Sequence, residues 1–343
     1  MNPTWQDFLR AGGAQFDNGL LAHFGNPQQE IAASGSGTIL TDLSHFGVIQ
    51  FSGEDSETFL QGQLSCDVRQ ALLNHAQFGS YCTPKGRMLA TFLLWRDADG
   101  FQMQLPASLR EAIQKRLSMY VLRSRVKVSD ASAATVRIGV AGPGAAAAVA
   151  ELGGAVPEEE YAVAQVGPAN VIRLPGQRFE LVLPPEEAPG AWQALSKHCT
   201  PAGSGRWEWL DIQAGIPTVT TGTQEQFVPQ MANLELIGGV SFTKGCYPGQ
   251  EIVARSQYLG KVKRRMYRVH LQSDAAPQPG DALFGQGPAE QSAGTIVNAQ
   301  PSPQGGYDAL AVILSTSLES GAVAWKTPDG PVLQLLSLPY SVE

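Results

Sequence analysis

The sequence lacks the features of a secreted, membrane-spanning or general polyanion-binding protein. Its N-terminal residues, MNPTWQDFLRAGGAQF, contain no basic segment followed by an apolar run, so no secretory signal is expected. No stretch approaches the roughly 18 apolar residues that a membrane-spanning helix needs. The formal net charge is −7, and phosphate binding requires accumulated Lys and Arg, which argues against a general affinity for nucleic acid. These absences predict a cytoplasmic protein without a membrane partner.

Cysteine is also scarce, and its spacing excludes two common kinds of site. The four cysteines lie far apart in the sequence: Cys66, Cys82, Cys199 and Cys246. No pair has the spacing of a disulfide framework, and no second cysteine or histidine lies near Cys246 to complete a metal site. We therefore expect reduced thiols and no stable metal.

The length of the chain and the order of its apolar segments predict two or three domains. A chain of 343 residues with 43% hydrophobic residues exceeds one ordinary core. Across residues 38–200, strands mix with helices without strict βαβ alternation, which favours an α+β fold with antiparallel sheets. From Lys261 onward, short apolar runs alternate with Gly and Pro turns, and no helix is expected. This last part is predicted to be a small β-barrel or sandwich that begins near Gly260.

Local patterns predict the individual elements. An amphipathic helix is indicated by apolar residues at intervals of four, namely Leu109, Ile113, Leu117 and Val121. Further helices are expected at residues 54–64, from Pro143 to Leu152, around Trp192 and Leu195, and from about Pro248. Strands are expected near residues 161–166, 170–174 and 178–183, and then at 262–271, 281–284, 293–298, 308–314, 322–327 and 331–336.

The stretch FTKGCYPGQEIVAR, residues 242–255, places one cysteine between two glycines and ahead of an expected helix. It resembles the signature K-G-C-[FY]-x-G-Q-E of the YgfZ-type folate-binding proteins. DSETFLQGQLSCDV, RWEWLDIQAGIP and FVPQMANLELIGGVSF agree with the same family, so the resemblance runs through nearly the whole chain. It implies two interleaved α+β modules around a folate channel, residues 25–259, followed by a small β-barrel, residues 260–343.

The same resemblance implies a function. Proteins of this family bind tetrahydrofolate or another folate and support the assembly or repair of iron–sulfur enzymes. Effects on tRNA modification, through thiolation by radical-SAM enzymes, are then indirect. The expected partners are folate and iron–sulfur client or assembly proteins, with tRNA contacted indirectly or weakly. Cys246 is the expected functional thiol, with Lys244 beside it. The residues expected to contact folate are Trp207, Phe46, Asp42, Arg178, Gln250 and Glu251.

These residues also have purely structural interpretations. A lone cysteine is more often a buried small hydrophobe than a reactive thiol, and an aromatic such as Trp207 more often packs in a core. His45, expected beside Asp42 at the channel mouth, is more often satisfied locally. A helix dipole favours a nearby thiolate by about 0.3–1 kcal/mol, Lys244 adds to this, and Glu251 opposes it. We therefore expect a modestly activated thiol and not a fully ionised nucleophile.

An enzymatic alternative comes from the related T-protein of the glycine cleavage system, a tetrahydrofolate-dependent aminomethyltransferase. TDLSHFGVIQFSG, residues 41–53, resembles its opening motif. The T-protein has an acidic pair in the strand that matches GRMLATFLLW, where this chain has Ala90 and Thr91. A methyl group and a hydroxyl supply no anion to the folate amine, so one-carbon transfer is the less favoured interpretation.

A third hypothesis comes from the basic stripe GKVKRRMYRVH, residues 260–270. Its cations are Lys261, Lys263, Arg264, Arg265 and Arg268. Side chains alternate along a strand, so at most three of these charges share one face. An RNA-binding module and a solvated barrel edge both fit this pattern, and the second is the commoner explanation.

Overall fold

The computed structural model of the chain describes residues 1–258, 262–285 and 292–342. Gly260 and Lys261 lie outside these ranges, so the division expected near Gly260, into 25–259 and 260–343, stays a prediction. The described residues form nine α-helices: α1 (Pro3–Ala11), α2 (Pro27–Ser36), α3 (Ser56–Gln61), α4 (Ala107–Met119), α5 (Ala145–Ala150), α6 (Ala188–Leu195), α7 (Ser204–Gln213), α8 (Gln250–Tyr258) and α9 (Ser315–Ser320).

The strands outnumber the helices and are mostly short. In chain order they are β1 (Gln15–Asp17), β2 (Leu20–His23), β3 (Ile39–Asp42), β4 (Phe46–Ser52), β5 (Gln77–Cys82), β6 (Met88–Asp97), β7 (Gly100–Pro106), β8 (Lys127–Asp130), β9 (Val136–Ala141), β10 (Val163–Val166), β11 (Ala169–Leu174), β12 (Arg178–Leu183), β13 (Thr200–Pro201), β14 (Arg264–Leu271), β15 (Ala282–Gly285), β16 (Ser292–Pro301), β17 (Tyr307–Leu314), β18 (Val323–Trp325) and β19 (Leu333–Leu336). The mixture confirms the predicted α+β class.

The chain folds into two compact units, and each unit draws on separate stretches of sequence. The first unit consists of Met1–Ser56, Gln70–Gln77 and Leu93–Leu210. The second consists of Glu57–Arg69, Phe78–Phe92 and Asp211–Glu343. The chain therefore passes repeatedly from one unit to the other, which confirms the expected interleaving.

The first unit is built around a six-stranded sheet with the strand order β10-β11-β12-β9-β3-β13. Successive residues of a strand point to opposite faces of the sheet. Ile138 and Val140 of β9 accordingly pack into a core with buried residues of α1, α5 and α6. Arg137 and Gly139 lie on the other face, where Gly139 pairs with Glu180 of β12. That face carries the polar residues considered below.

The same unit also pairs β4 with β7 and β8, and α4 packs beside these strands. Leu109, Ile113 and Leu117 are buried on α4, as predicted. The helix ends at Met119, so the inclusion of Val121 was wrong. The cause is local, because Leu122 adopts a left-handed backbone conformation with φ +48°.

The second unit contains a six-stranded antiparallel sheet with the order β18-β15-β16-β17-β14-β19. The sheet curls until its two edge strands meet at a single bridge between Ala324 and Val332, which makes a half-barrel. The six predicted strands match β14 to β19 closely. The expectation that no helix follows Lys261 was wrong, because α9 forms after β17. Its sequence, STSLES, has no apolar periodicity that would mark a helix.

Candidate functional site

Cys246 lies in the second unit, on an irregular segment that leads into α8. Its side chain is exposed, whereas Cys66, Cys82 and Cys199 are buried. A side-chain carbon built on the preceding residue, Gly245, would meet no atom within 4 Å. The sulfur of Cys246 is therefore accessible to water, which agrees with a functional thiol and contradicts the buried-hydrophobe interpretation.

The ammonium group of Lys244 anchors this segment. Lys244 is 5% exposed. Its Nζ donates to the backbone carbonyls of Gln61 at 2.7 Å, Leu64 at 2.6 Å and Cys66 at 3.0 Å. An ammonium has three N–H groups, so these acceptors use all of them. Burial lowers the pKa of Lys244 to about 8. This geometry gives Lys244 a positioning role in place of the thiol-activating role expected from the sequence.

The residues that follow the cysteine hold the segment from the other side. Tyr247 is 6% exposed, and its ring centroid lies 5.0 Å from the Nζ of Lys244. Gly249 has φ +86°, and an added Cβ would lie 2.5 Å from the carbonyl oxygen of Thr83. Only glycine combines this backbone conformation with such a close approach. Lys244 and Tyr247 thus bury their side chains on either side of an exposed cysteine.

The buried cysteines lack the properties of reactive thiols. Burial raises the pKa of Cys66 and of Cys82 to about 12, and that of Cys199 to about 11. These three thiols are protonated at neutral pH, and the thiolate is the reactive form. Reactivity toward a partner therefore falls on Cys246.

The six residues expected to contact folate do not belong to one unit. The helix expected to start near Pro248 begins at Gln250, where Gln250 is half-buried and Glu251 is exposed. Both belong to the second unit. The other four belong to the first unit: Asp42, Phe46, Arg178 and Trp207.

Trp207 and Arg178 lie together on the polar face of the first unit's sheet. A Cβ on Gly139 would lie 2.6 Å from ring atoms of Trp207, so the indole requires a glycine there. The guanidinium carbon of Arg178 lies 5.1 Å from the indole centroid, and its Nε donates to the carbonyl of Pro175 at 2.8 Å. Trp207 and Arg178 are each 1% exposed. Arg178 is therefore an internal residue and does not reach out toward solvent for a ligand tail.

Asp42 belongs to the internal framework of the same unit. Its carboxylate accepts from Trp5 Nε1 at 2.7 Å, from Ser44 Oγ at 2.8 Å and from the Ser44 backbone N–H at 3.0 Å. Burial raises the pKa of Asp42. These donors come from the protein itself, so Asp42 fixes the turn between β3 and β4. Phe46, at the start of β4, is half-buried and lies beside His45, with ring centroids 4.1 Å apart.

Three polar residues near this turn were missed by sequence reasoning. Arg137 donates from Nη2 to the carbonyl of Phe46 at 2.9 Å. Gln104 donates from Nε2 to the carboxylate of Glu180 at 2.9 Å. Arg137, Gln104 and Glu180 are 1%, 5% and 1% exposed. The available signal was a charged or amide side chain inside an apolar strand, as in VRIGVA and RFELVL.

The strand that replaces the T-protein's acidic pair carries no anion here. Ala90 is fully buried, and Thr91 is 3% exposed. The Thr91 hydroxyl oxygen accepts the backbone N–H of Val219 at 3.0 Å. Both side chains therefore have structural roles in the second unit.

The basic stripe is divided by β14. Arg265 donates to the carboxylate of Glu235 and to the carbonyl of Gln230, while Arg268 donates to Gln213. These two arginines are internal partners of the second unit. They therefore do not form a continuous basic surface with their neighbours on the strand.

Metal and membrane features can be assessed for the described residues. Within the ranges given above, no group of three or more His, Cys, Asp or Glu side chains is placed to hold a metal ion. No helix in those ranges is both long and apolar enough to cross a bilayer.

Comparison with known proteins connects both units to one family. Residues 14–241 match the GCVT N-terminal domain. The chain is 32% identical over 320 residues to the "tRNA-modifying protein YgfZ" of Enterobacter sp., covering 92% of this chain and 98% of that protein. It is equally similar, at 32% over 320 residues, to the protein of that name from Shigella boydii. The crystal structure of glycine cleavage system aminomethyltransferase T from Bartonella henselae superposes with a TM-score of 0.78 at 17% identity, covering 99% of this chain and 97% of that one.

Proposed function

Because this chain belongs to the GCVT N-terminal domain family and matches the YgfZ proteins along 92% of its length, we propose that it is a folate-binding protein of the cytoplasm that supports the assembly or repair of iron–sulfur enzymes. The observation that carries the proposal is the exposed thiol of Cys246, held outward between the buried side chains of Lys244 and Tyr247. An effect on tRNA modification then follows indirectly, through radical-SAM enzymes that depend on clusters.

Cys246 supplies a single thiolate, which falls short of the usual four ligands of an iron–sulfur cluster. The cluster is therefore cargo or a client's property and not a resident group of this chain. Cys246 is the group that contacts the client, through its iron, its sulfur or one of its thiols. The client itself is an iron–sulfur enzyme or an assembly protein.

Complementation tests the thiol. Cells that lack this protein receive the wild type, Cys246→Ala or the matched variant Cys199→Ala, and the activity of an iron–sulfur enzyme is measured. Cys199 is a buried cysteine of the first unit, so its replacement should restore activity as the wild type does. Full restoration by Cys246→Ala would remove the thiol from the mechanism.

Folate binding is supported by the family and by the polar face of the first unit. A pterin offers a flat apolar ring with a hydrogen-bonding edge, and Phe46 offers a half-buried aromatic side chain beside buried donors and acceptors. The residues present thus fit a folate. Calorimetry with tetrahydrofolate tests this, and Phe46→Ala should weaken binding while Phe242→Ala, an aromatic change in the second unit, should not. Absence of binding by the wild type would refute the folate part of the proposal.

One-carbon transfer is the second candidate, and the shared fold of the aminomethyltransferase favours it. Ala90 and Thr91 argue against it, because neither side chain places a negative charge where the folate amine would react. A folate-exchange assay with an aminomethyl donor distinguishes the two functions. Turnover with bound folate would favour the transferase, and binding without product supports the repair function.

A further inference from the structure

The first unit buries polar atoms that have no hydrogen-bond partner within the protein. In the described structure, Nε and Nη1 of Arg137 and Oε1 of Gln104 are sealed from solvent and unpartnered. Each buried polar group left unpaired costs about 1–3 kcal/mol, so native proteins contain few. A concentration of them on one face therefore indicates a group that is to be supplied from outside the chain.

The unpartnered atoms of Arg137 and Gln104 belong to one local network. Arg137 is tied to Phe46 through its Nη2. Gln104 is tied to Glu180, and Glu180 interacts electrostatically with Arg137. The strand register agrees, since Val48 pairs with Gln104 two residues after Phe46.

The roles of these atoms as donors or acceptors are fixed. An ionised carboxylate only accepts, so Gln104 must direct its NH₂ group at Glu180 and its carbonyl oxygen, Oε1, elsewhere. Oε1 thus needs a donor. Arg137 is donor-only, so its Nε–H and Nη1–H need acceptors. The network requires a ligand edge that combines an acceptor with a donor.

We propose that Arg137 and Gln104 recognise the pyrimidinone edge of a 4-oxo pterin, and that they select 4-oxo folates against 4-amino analogues. The assignment rests on the folate binding proposed above. The C4 carbonyl oxygen accepts from Arg137, and N3–H or the 2-amino group donates to Gln104. In a 4-amino analogue, an amino group replaces the C4 carbonyl, so the donors of Arg137 face another donor. Sites built around such hydrogen bonds reject the mismatched analogue strongly, here by about 100-fold.

Paired ligands test the selection directly. Tetrahydrofolate and its 4-amino analogue, tetrahydroaminopterin, differ at one substituent, and their dissociation constants are measured by calorimetry on the full-length protein. The wild type should bind tetrahydrofolate about 100-fold more tightly. Arg137→Met should reduce this ratio to below about tenfold, mainly by weakening tetrahydrofolate. The matched control is Arg173→Met, which removes an arginine stacked on Phe179 in the same sheet and should leave the ratio unchanged.

The outcomes separate the two proposals. Equal binding of both ligands by the wild type would overturn the assignment while leaving folate binding intact. Binding of neither ligand would refute folate binding itself. Should Arg137→Met lose its cooperative thermal transition, Gln104→Met tests the same edge from the acceptor side, and an unchanged ratio in that variant would also overturn the assignment.

Discussion

Replacing Lys244 with methionine tests whether its ammonium holds the cysteine segment in place. Methionine keeps most of the side-chain length and packing but cannot donate hydrogen bonds. The variant therefore leaves three backbone carbonyls, those of Gln61, Leu64 and Cys66, without their donor. The contacts of Lys244 join positions about 180 residues apart in the chain, so their loss affects tertiary structure and not a local turn.

The expected loss of stability follows from the burial of these acceptors. The hydrogen bonds to Leu64 and Cys66 are buried, and the one to Gln61 is partly buried. Two buried acceptors without partners cost about 2–6 kcal/mol. Part of this is offset, because burial of the ammonium is itself unfavourable, as the lowered pKa of Lys244 shows. We expect Lys244→Met to reduce the free energy of unfolding by about 2–4 kcal/mol.

Urea unfolding at pH 7 measures this loss, and Lys85→Met is the matched control. Lys85 is an exposed lysine on the turn before β6, so its replacement should change stability by less than about 0.5 kcal/mol. The alkylation rate of the thiol at position 246 should also change in Lys244→Met, because the segment loses its anchor. A Lys244→Met protein as stable as the control, with an unchanged alkylation rate, would refute the positioning role.

The same lysine predicts a dependence on pH. The pKa of Lys244 is about 8 in the folded protein and 10.5 in the reference state. Between these values the unfolded chain binds more protons, so the contribution of Lys244 makes stability rise with pH from about 8 to about 10.5 and leaves it flat below. Urea titrations across this window should show the rise in the wild type relative to Lys244→Met. Identical slopes in the two proteins would contradict the burial of the charge.

Three further substitutions or reactions test other parts of the structure. A thiol-specific reagent should modify Cys246 rapidly in the folded protein and the other cysteines only on unfolding, and Cys246→Ser should remove the rapid phase. Gly249→Ala should cost more than about 2 kcal/mol in thermal unfolding, whereas Gly245→Ala, with open space around it, should cost less than about 1 kcal/mol. Arg265→Glu should destabilise by about 3–5 kcal/mol, because it breaks a partly buried ion pair, while Arg264→Glu on the same strand stays near neutral; equal effects would contradict the divided stripe.

The fold was predictable where side-chain periodicity and turn residues agree. The strands of the half-barrel alternate with Gly and Pro turns, and all six were located from the sequence. The two N-terminal helices were not predicted, although each begins with Asn–Pro. Asn2 and Asn26 accept the backbone N–H groups of Trp5 and Gln29, which is a recognisable N-cap followed by proline at the first position. Their weak apolar patterns concealed this signal.

The site was predictable only where a motif is continuous in the sequence. The exposure of Cys246 and the start of α8 agree with expectation. The partners of Lys244 did not follow from the motif, because they come from a loop far away in the chain. Arg137 was missed for a related reason: a charged residue in a strand ordinarily indicates a solvated face, and its burial depends on tertiary neighbours.

The interleaved order of the two units has a consequence for synthesis on the ribosome. The segments Glu57–Arg69 and Phe78–Phe92 are translated early, yet the remainder of their unit starts at Asp211. At about 5–20 residues per second, the nascent chain grows for roughly 6–24 s before that remainder begins to appear. During this interval Leu64, Tyr81 and Phe92, all buried in the finished protein, have yet to acquire their permanent neighbours. These early segments are thus the part of the nascent chain that most needs protection by a chaperone until translation ends.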